Sequence, residues 1–256
     1  MVIPLPRTEL SDSRPPISDR LDAARDHDDD PEHGIELGYL ANAGEVLVKV
    51  TATGSSPAAA RDRAEPVVDE AAAILGAAVT SVDERRLEDE VAGLLETLGA
   101  TVATAEAFTA GRIAASLSSV ASASTYLRGG VVAYAPEMLR ELLGVEEALL
   151  GESGPVSAAV VEAMARAAQR RFDADFVIAA SGVTDESVAT ASGPPVGTAI
   201  WAVAGPDGSV EVEERFIPAG DRDIIQVRGA AFALEALRRH LVAHRSADAP
   251  AAGVTP

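Results

Sequence analysis

The sequence predicts an α/β fold: a three-layer α/β/α domain with a central sheet, preceded by a small α/β (β-β-α) module. Between residues 84 and 243, short apolar runs with the length of buried strands alternate with helix-like amphipathic segments, which is typical of layered α/β domains. Residues 34–83 contain two strand-like runs around a turn and then one helical pattern. The 256 residues, 47% of them apolar, suffice for a core of this size.

The N-terminal part divides into two segments. Residues 1–32 are polar and interrupted by prolines, so we predict a flexible segment. Within it, His27 and His33 stand on either side of three aspartates, but nothing fixes the geometry of such ligands, and we interpret the segment as an acidic linker without a metal. The module at 34–83 is expected to form a hairpin followed by a helix over about 57–75.

Residues 84–243 are predicted to form the larger domain, in which strands and helices alternate. The expected helices cover residues 84–99, 109–119, 136–143, 157–171 and 221–243, and the expected strands cover 100–105, 129–134, 175–181, 196–204 and 210–217. The last two strands form a pair around a Gly-Pro-Asp-Gly turn. Residues 246–256 are rich in alanine, proline and glycine and are predicted to be a disordered tail.

Composition argues against several classes of function. The chain has no cysteine, which excludes disulfides, thiolate nucleophiles and cysteine-ligated metals. A formal net charge of -19 opposes binding to nucleic acid, and the small module has seven acidic residues against three basic ones, so we expect a structural or dimerising module. No segment predicts a membrane span or a secretory signal, and we expect a cytoplasmic protein without a nucleic-acid or membrane partner.

The stretch Thr-Ala-Glu-Ala-Phe-Thr-Ala-Gly-Arg-Ile-Ala, residues 104–114, begins as a strand and ends as a helix. The first N–H groups of a helix have no partners within it and favour an anionic group. In layered α/β domains, ligands bind at loops beyond the ends of strands. This turn and the loop after Ser181 are therefore the predicted ligand loops, although the side chains of the turn offer little chemistry.

Several short motifs occur in a characteristic order. They are Ala-Glu at 105–106 with Thr109 and Gly111, Gly-Gly-Val-Val-Ala-Tyr at 129–134, Leu-Leu-Gly-Val at 142–145, Val-Ser at 156–157, Ser-Gly at 181–182, Pro-Val-Gly-Thr at 195–198 and Gly-Asp-Arg at 220–222. With these motifs, residues 84–243 resemble the C-terminal domain of the competence/damage-inducible protein CinA family. Residues 34–83 resemble the small module that precedes that domain.

The resemblance implies an activity and a mechanism. The enzymes of the family are nicotinamide-nucleotide amidohydrolases, which convert nicotinamide mononucleotide to nicotinic acid mononucleotide and ammonia. The implied nucleophile is a serine that a lysine activates and a tyrosine assists, since a serine hydroxyl by itself is a weak nucleophile. Backbone N–H groups at a helix start would stabilise the oxyanion. No metal or other cofactor is implied.

The sequence departs from the family at both positions of this dyad. The family motif Ala-Glu-Ser-Cys-Thr-Gly-Gly reads Ala-Glu-Ala-Phe-Thr-Ala-Gly here, so Ala107 stands at the nucleophile position. The motif Tyr-Ser-Asn-Glu-Ala-Lys reads Tyr-Ala-Pro-Glu-Met-Leu, which keeps Tyr134 and puts Leu139 at the base position. Lys49, the only lysine, belongs to the other module, and Arg140 cannot act as a base because a guanidinium stays protonated.

No catalytic residue can therefore be assigned, but the matched motifs provide candidate ligand-binding residues. These are Glu106, Thr109, Gly111, Tyr134, Ser181, Gly182, Gly197, Thr198 and Arg222. Arg222 could pair with a ligand phosphate or brace the helix that it begins.

Substitute catalytic groups are weakly indicated. Thr109 or Ser181 could serve as a nucleophile, but we favour a helix cap for Thr109 and a pocket-lining role for Ser181. Glu106 and Glu137 could polarise a water molecule directly, for which two unpaired carboxylates are a weak signal.

The histidine pair near the end of the last helix is a further candidate. His240 and His244 stand one helical turn apart and could bind a metal or act as bases, but no third ligand is in view, and we expect exposed surface histidines.

Three interpretations of function remain. The first, which we favour, is a catalytically impaired amidohydrolase relative that binds a pyridine nucleotide or has a regulatory role. The second is an active amidohydrolase with a different base, such as Glu137 or Tyr134. The third is an oligomeric scaffold without a ligand, in which Ala107 and Phe108 fill the former pocket. We expect a homo-oligomer.

Overall fold

The computed structural model describes residues 2–3, 35–41, 46–76, 79–83, 85–186, 193–218 and 221–248. The chain divides into two compact units, Met1–Arg86 and Leu87–Pro256.

The first unit contains a small antiparallel sheet and one helix. The strands are β1 (Val2–Ile3), β2 (Ile35–Ala41) and β3 (Val46–Ala52), in the order β1–β3–β2, and the helix is α1 (Pro57–Leu75). Helix α1 begins at Ser56, whose side chain accepts a hydrogen bond from the backbone N–H of Ala59. Its buried Ala71 and Leu75 pack with Val48 of β3. The predicted β-β-α order is confirmed.

The N-terminal segment differs from its prediction at one point. Residues 1–32 were expected to be flexible, but Val2 and Ile3 pair with Leu47 and Val46 of β3. Residues 4–34, including the two histidines among the aspartates, lie outside the described residues.

A five-stranded mixed sheet forms the centre of the second unit. The strands are β4 (Val102–Glu106), β5 (Leu127–Val132), β6 (Phe176–Gly182), β7 (Thr198–Ala204) and β8 (Val210–Phe216), in the order β5–β4–β6–β7–β8. Strand β4 is parallel to β5 and β6, and β7 is antiparallel to β6 and β8. Strands β4, β5, β6 and β8 therefore all end at one edge of the sheet, here called the carboxyl edge.

Helices cover both faces of this sheet. They are α2 (Leu87–Leu98), α3 (Arg112–Ser118), α4 (Ala123–Tyr126), α5 (Pro136–Leu143), α6 (Glu147–Ser153), α7 (Ala158–Phe172) and α8 (Arg222–Asp248). Successive residues of a strand point to opposite faces. Ile178 of β6 thus joins an apolar cluster with α2, α3 and α8, and its neighbour Val177 joins a second cluster with α5 and α7. We call these the α8-side and α7-side clusters, and they confirm the three-layer architecture.

The predicted bounds agree with the structure to within about three residues, except at the end of the last helix. Helix α8 reaches Asp248, so the first residues of the predicted tail 246–256 are helical, and residues 249–256 lie outside the described part. The short helices α4 and α6 were not predicted. Among the described residues, no helix combines the length and apolarity that a membrane span requires.

Candidate functional site

A buried carboxylate organises the turn between β4 and α3. Glu106 is fully buried at the carboxyl edge. Its Oε2 accepts hydrogen bonds from the Thr109 hydroxyl at 2.8 Å and from the backbone N–H of Gly111 at 3.0 Å. The backbone N–H groups of Ile113 and Ala114 donate to Oε2 at 3.1 Å and to Oε1 at 2.8 Å. The carboxylate therefore caps α3, and it presents no oxygen to the protein surface.

Thr109 and Gly111, both in the turn after Glu106, adapt the backbone to this carboxylate. Thr109 is also fully buried, and its hydroxyl is committed to Glu106. Gly111 is the residue before α3 and has a left-handed backbone with φ 90° and ψ 3°, which glycine adopts at little cost. The expectation that Thr109 caps the helix is wrong, because Glu106 performs that role by accepting from three backbone N–H groups, and the Thr109 hydroxyl itself donates to Glu106.

The structure brings Ala107 and Leu139, the two positions that the resemblance assigns to the dyad, into one apolar environment. Ala107 is 8% exposed and Leu139 is 2% exposed, and both belong to the α7-side cluster with Leu143 and Val145. The backbone N–H of Ala107 donates to the carbonyl oxygen of Ala180 at 2.8 Å. Neither side chain can attack a carbonyl carbon or take up a proton.

Three polar side chains meet at the carboxyl edge and form what we call the arginine cluster: Arg222, Tyr134 and Asp185. Nη1 of Arg222 donates to the Tyr134 hydroxyl at 2.6 Å, and Nη2 of Arg222 donates to Oδ2 of Asp185. Tyr134 follows β5, Asp185 follows β6 and Arg222 begins α8. The arginine side chain is 47% exposed and that of Asp185 is 30% exposed. This cluster is therefore accessible to a molecule in solution.

A second arginine links α3 to α8 nearby. Nη2 of Arg112 donates to Oδ1 of Asp223 at 2.5 Å and to Oε1 of Gln226 at 3.2 Å. Both arginines at the starts of these helices are therefore held by carboxylates of the same unit.

The side chains of Ser181 and Phe108 both make contacts within the fold. Ser181 is buried, and its hydroxyl donates to the carbonyl oxygen of Pro155 at 3.0 Å. Phe108 lies in the α8-side cluster, on the other face of the sheet from Ala107. A Cβ on Gly182 would lie 3.1 Å from Cγ of Phe108, and a Cβ on Gly229 would lie 2.3 Å from its Cζ. Two glycines thus make room for this ring.

Gly197 and Thr198 close the carboxyl edge through their backbone. The N–H of Gly197 donates to the carbonyl oxygen of Val183 at 2.8 Å, and its own carbonyl accepts from Ile217 at 2.8 Å. Gly197 has a φ of 98°, and a Cβ there would lie 2.4 Å from the Ile217 oxygen, so glycine is required. The carbonyl of Thr198 accepts from the N–H of Val183 at 2.9 Å.

The histidine pair lies at the other end of the sheet. His240 and His244 pack edge-on against Phe176, with ring centroids 5.9 Å and 5.4 Å away. Phe176 is the first residue of β6, about 20 Å along the strand from the carboxyl edge. The expectation of exposed histidines is wrong for His240, whose side chain is 11% exposed with Nδ1 3.4 Å from Glu211.

The remaining charged candidates lie on the surface. Glu137 and Arg140 of α5 are exposed, and Nη1 of Arg140 donates to Glu147 at 2.5 Å. This hydrogen bond raises the pKa of Arg140 above its usual range, so the guanidinium remains a cation. Within the part of the chain that the structure describes, no group of three histidine, aspartate or glutamate side chains could hold a metal ion.

Sequence reasoning did not find Asp185, Arg112 or Gly229. Asp185 stands three residues beyond β6, in a loop that the sequence already marked as a ligand loop, so its position was an available signal. The partners of Arg112 lie more than 100 residues away, and the space that Gly229 provides depends on tertiary packing. Pattern alone could not reveal these last two roles.

The fold and the capped turn define a three-layer α/β domain joined in sequence to a small antiparallel module. Two family models match this arrangement: residues 84–241 match the CinA C-terminal domain, and residues 17–80 match the damage-inducible protein CinA KH domain. The chain belongs to the CinA family. The second match begins inside the segment 1–32 that the sequence indicated as flexible.

Individual relatives agree with this assignment. A CinA-like protein of Frankia casuarinae is 38% identical over 211 residues, covering 80% of this chain and 46% of the relative. A CinA-like protein of Gloeobacter violaceus is 38% identical over 204 residues, covering 80% of this chain and 47% of the relative. The chain thus spans about half the length of these curated relatives.

Solved structures resemble the larger unit. A competence-damaged protein (CinA) superfamily protein of Klebsiella pneumoniae has a TM-score of 0.58 and 30% identity, covering 61% of this chain and 96% of that chain. The competence/damage inducible protein CihA of Agrobacterium tumefaciens has a TM-score of 0.57 and 30% identity, covering 61% and 95%.

Proposed function

We propose that this CinA-family protein binds a pyridine nucleotide without hydrolysing it, and that it acts as a nucleotide-binding or regulatory protein. One observation carries the proposal: Ala107 and Leu139, at the two positions of the family's serine–lysine dyad, lie buried in the same apolar cluster. A nucleophile and its base must both be present for this amide hydrolysis. Here neither position provides an ionisable or nucleophilic group.

The nearby hydroxyl groups do not replace the missing serine. The Thr109 hydroxyl donates to Glu106, and the Ser181 hydroxyl donates to the carbonyl oxygen of Pro155. Both are buried. The carboxylate that accepts from Thr109 also accepts from three backbone N–H groups of the turn and of α3, and the carbonyl oxygen that accepts from Ser181 is not a base. Lys49, the single lysine, belongs to the first unit.

The carboxyl edge supports the binding part of the proposal. Ligands of layered α/β domains bind beyond the carboxyl ends of the strands, where Tyr134 and Arg222 lie half exposed. A guanidinium forms strong, charge-assisted hydrogen bonds with phosphate oxygens. We therefore assign the ligand phosphate to Arg222 and the ligand ring to the neighbourhood of Tyr134.

Ammonia release and calorimetry test the two halves of the proposal. With nicotinamide mononucleotide, we expect no enzymatic ammonia release but measurable heat of binding. Turnover that disappears in Tyr134→Phe would instead support an active amidohydrolase with an unusual mechanism. Absence of heat and of thermal stabilisation, with both this nucleotide and its deamidated product, would support the scaffold interpretation.

Restoring the dyad tests whether the rest of the site is intact. The variant Ala107→Ser/Leu139→Lys reintroduces both groups, and burial would lower the pKa of the new lysine towards that of a working base. The matched control is Ala107→Ser/Leu139→Met, which has the hydroxyl but no base. Ammonia release by the first variant and not by the second would show that only the dyad had been lost.

For the first unit we propose a structural or dimerising role. KH domains commonly bind nucleic acid through a Gly-x-x-Gly loop, and residues 17–80 contain no such motif. Seven acidic residues stand against three basic ones in residues 34–83. We expect sedimentation to show a homo-oligomer and expect no salt-dependent binding to single-stranded RNA.

A further inference from the structure

We propose that Asp185 is a specificity-determining residue that competes with the phosphate of the ligand for Arg222. The inference rests on the proposed function, because it concerns the same carboxyl edge, but it assigns a role to a residue outside the matched motifs. In the structure, Oδ2 of Asp185 accepts a hydrogen bond from Nη2 of Arg222.

The geometry of Arg222 explains the competition. Its two terminal nitrogens are both engaged, one with Asp185 and the other with the Tyr134 hydroxyl at 2.6 Å. Strong recognition of phosphate by arginine uses two parallel N–H donors of the guanidinium fork. A phosphate that binds in this way through the same two nitrogens displaces the Asp185 carboxylate, whereas the Tyr134 hydroxyl is neutral and can turn to donate to the phosphate.

The surrounding charges act in the same direction. Asp221 and Asp223 flank Arg222 in the chain, and Asp223 holds Arg112, the other arginine at this edge. The positive charge of both arginines is thus offset within the unit before any ligand arrives. A phosphate dianion adds repulsion with Asp185 unless that side chain turns away, and it binds only to the fraction of molecules in which Arg222 is free.

The expected size of the effect follows from the exposure of the pair. The side chains of Arg222 and Asp185 are 47% and 30% exposed, so solvent screens their attraction. An ion pair of this kind lowers the affinity for a competing anion about two- to fivefold. A ligand without phosphate does not need the guanidinium and is not affected.

The test compares Asp185→Asn with Glu186→Gln in the full chain. Asparagine keeps the shape of the side chain and removes its charge, while Glu186, the exposed next residue, provides the same change in net charge at a side chain that accepts neither of the Arg222 hydrogen bonds described above. We expect Asp185→Asn to bind nicotinamide mononucleotide about two- to fivefold more tightly than the unmodified protein. Glu186→Gln should change this affinity less than twofold, and none of the variants should change the affinity for the corresponding riboside, which lacks the phosphate.

Two further measurements separate this inference from the proposed function. Inorganic phosphate is titrated in parallel, and Arg222→Gln in the Asp185→Asn background should abolish the gain for every phosphate-bearing probe. Equal or weaker nucleotide binding in Asp185→Asn would overturn the inference and leave the proposed function standing. A gain for inorganic phosphate without any nucleotide binding would support the inference and contradict the proposed function. Binding of neither probe to Asp185→Asn would overturn both.

Discussion

A single carboxylate, Glu106, determines the shape of the turn at the candidate site. It replaces the water that would otherwise solvate the start of α3, and it accepts four hydrogen bonds while fully buried. A buried charge is tolerated when its hydrogen-bonding capacity is satisfied in this way. These hydrogen bonds give Glu106 a structural role in the turn of this chain.

Glu106→Gln should lower the free energy of unfolding by about 2 to 3 kcal/mol, because the amide has a weaker acceptor and turns an NH₂ group towards backbone donors. Thr109→Val is the matched control, since it removes one of the four hydrogen bonds and should cost about 1 kcal/mol. Urea unfolding monitored by circular dichroism provides both values. Equal losses in the two variants would contradict the role assigned to the carboxylate.

At the scale of single residues, the sequence motifs predicted which residues occupy the site better than they predicted the contacts of those residues. The motif comparison predicted that Ala107 and Leu139 stand at the dyad positions of the family, which stays a prediction, and the structure shows both residues in one apolar cluster. It could not reveal that the Ser181 hydroxyl donates to Pro155, 26 residues away in the chain. Such partners depend on loop paths that local patterns do not encode.

Among the secondary-structure elements, the contact between β6 and α8 depends on Phe108. The ring lies between Gly182 of β6 and Gly229 of α8, and neither glycine could carry a methyl group without a close approach to the ring. A packed interior resists such overfilling, since side chains and backbone must shift together. The sequence alone shows two unremarkable glycines, one of them inside a helix where glycine is unfavourable.

Gly229→Ala should destabilise the protein by about 1 to 3 kcal/mol, although alanine favours a helix by about 1 kcal/mol. In a Phe108→Leu background the same change should become neutral or stabilising, because Cζ of the ring is absent. The control is Gly93→Ala in α2, where a Cβ meets nothing within 4 Å. Additive effects of the two changes in a double-mutant cycle would contradict the proposed close contact between the Phe108 ring and residue 229.

The contact between α3 and α4 predicts a dependence of stability on pH. The buried Tyr126 hydroxyl donates to the carbonyl oxygen of Leu117 at 2.8 Å, and burial raises the pKa of Tyr126 above its ordinary value. The unfolded chain therefore loses this proton at lower pH than the folded protein. The stabilisation is complete below the ordinary tyrosine pKa of about 10, and it is lost as the pH rises towards the higher pKa of the folded protein.

We expect the free energy of unfolding, measured in urea between pH 8 and 11, to fall more steeply for the unmodified protein than for Tyr126→Phe. The contributions of Tyr39, Tyr134 and Lys49 are common to both proteins and cancel in the comparison. At pH 8 the variant should be less stable by about 1 kcal/mol through the lost hydrogen bond. Parallel pH profiles would show that the buried hydroxyl does not titrate as described.

For the whole molecule, the periodicity of apolar residues predicted the three layers but did not predict the order of the strands in the sheet. Alternating strand-like and helical patterns predicted the three-layer domain, and the Gly-Pro-Asp-Gly turn predicted the β7–β8 pair. The sequence pattern did not specify that β4 lies between β5 and β6, because strand order depends on the direction of each crossover. Short helices such as α4, with four residues, carry too little periodicity to be recognised.

The fragment 85–256 provides a test at this scale. It contains the five-stranded sheet and both apolar clusters of the second unit. We therefore expect it to fold cooperatively on its own, with a sigmoidal urea transition and the near-ultraviolet signal of the buried Trp201. A broad, non-cooperative transition would show that the core depends on the first unit.

We propose that the protein binds a pyridine nucleotide and leaves its carboxamide intact. A proton NMR time course of nicotinamide mononucleotide with the full chain tests both parts in one sample, since saturation transfer reports binding and new pyridine resonances report deamidation. We predict saturation transfer to the pyridine protons and an unchanged ligand spectrum after prolonged incubation. Accumulation of nicotinic acid mononucleotide, or absence of transfer to the ligand, would contradict the claim.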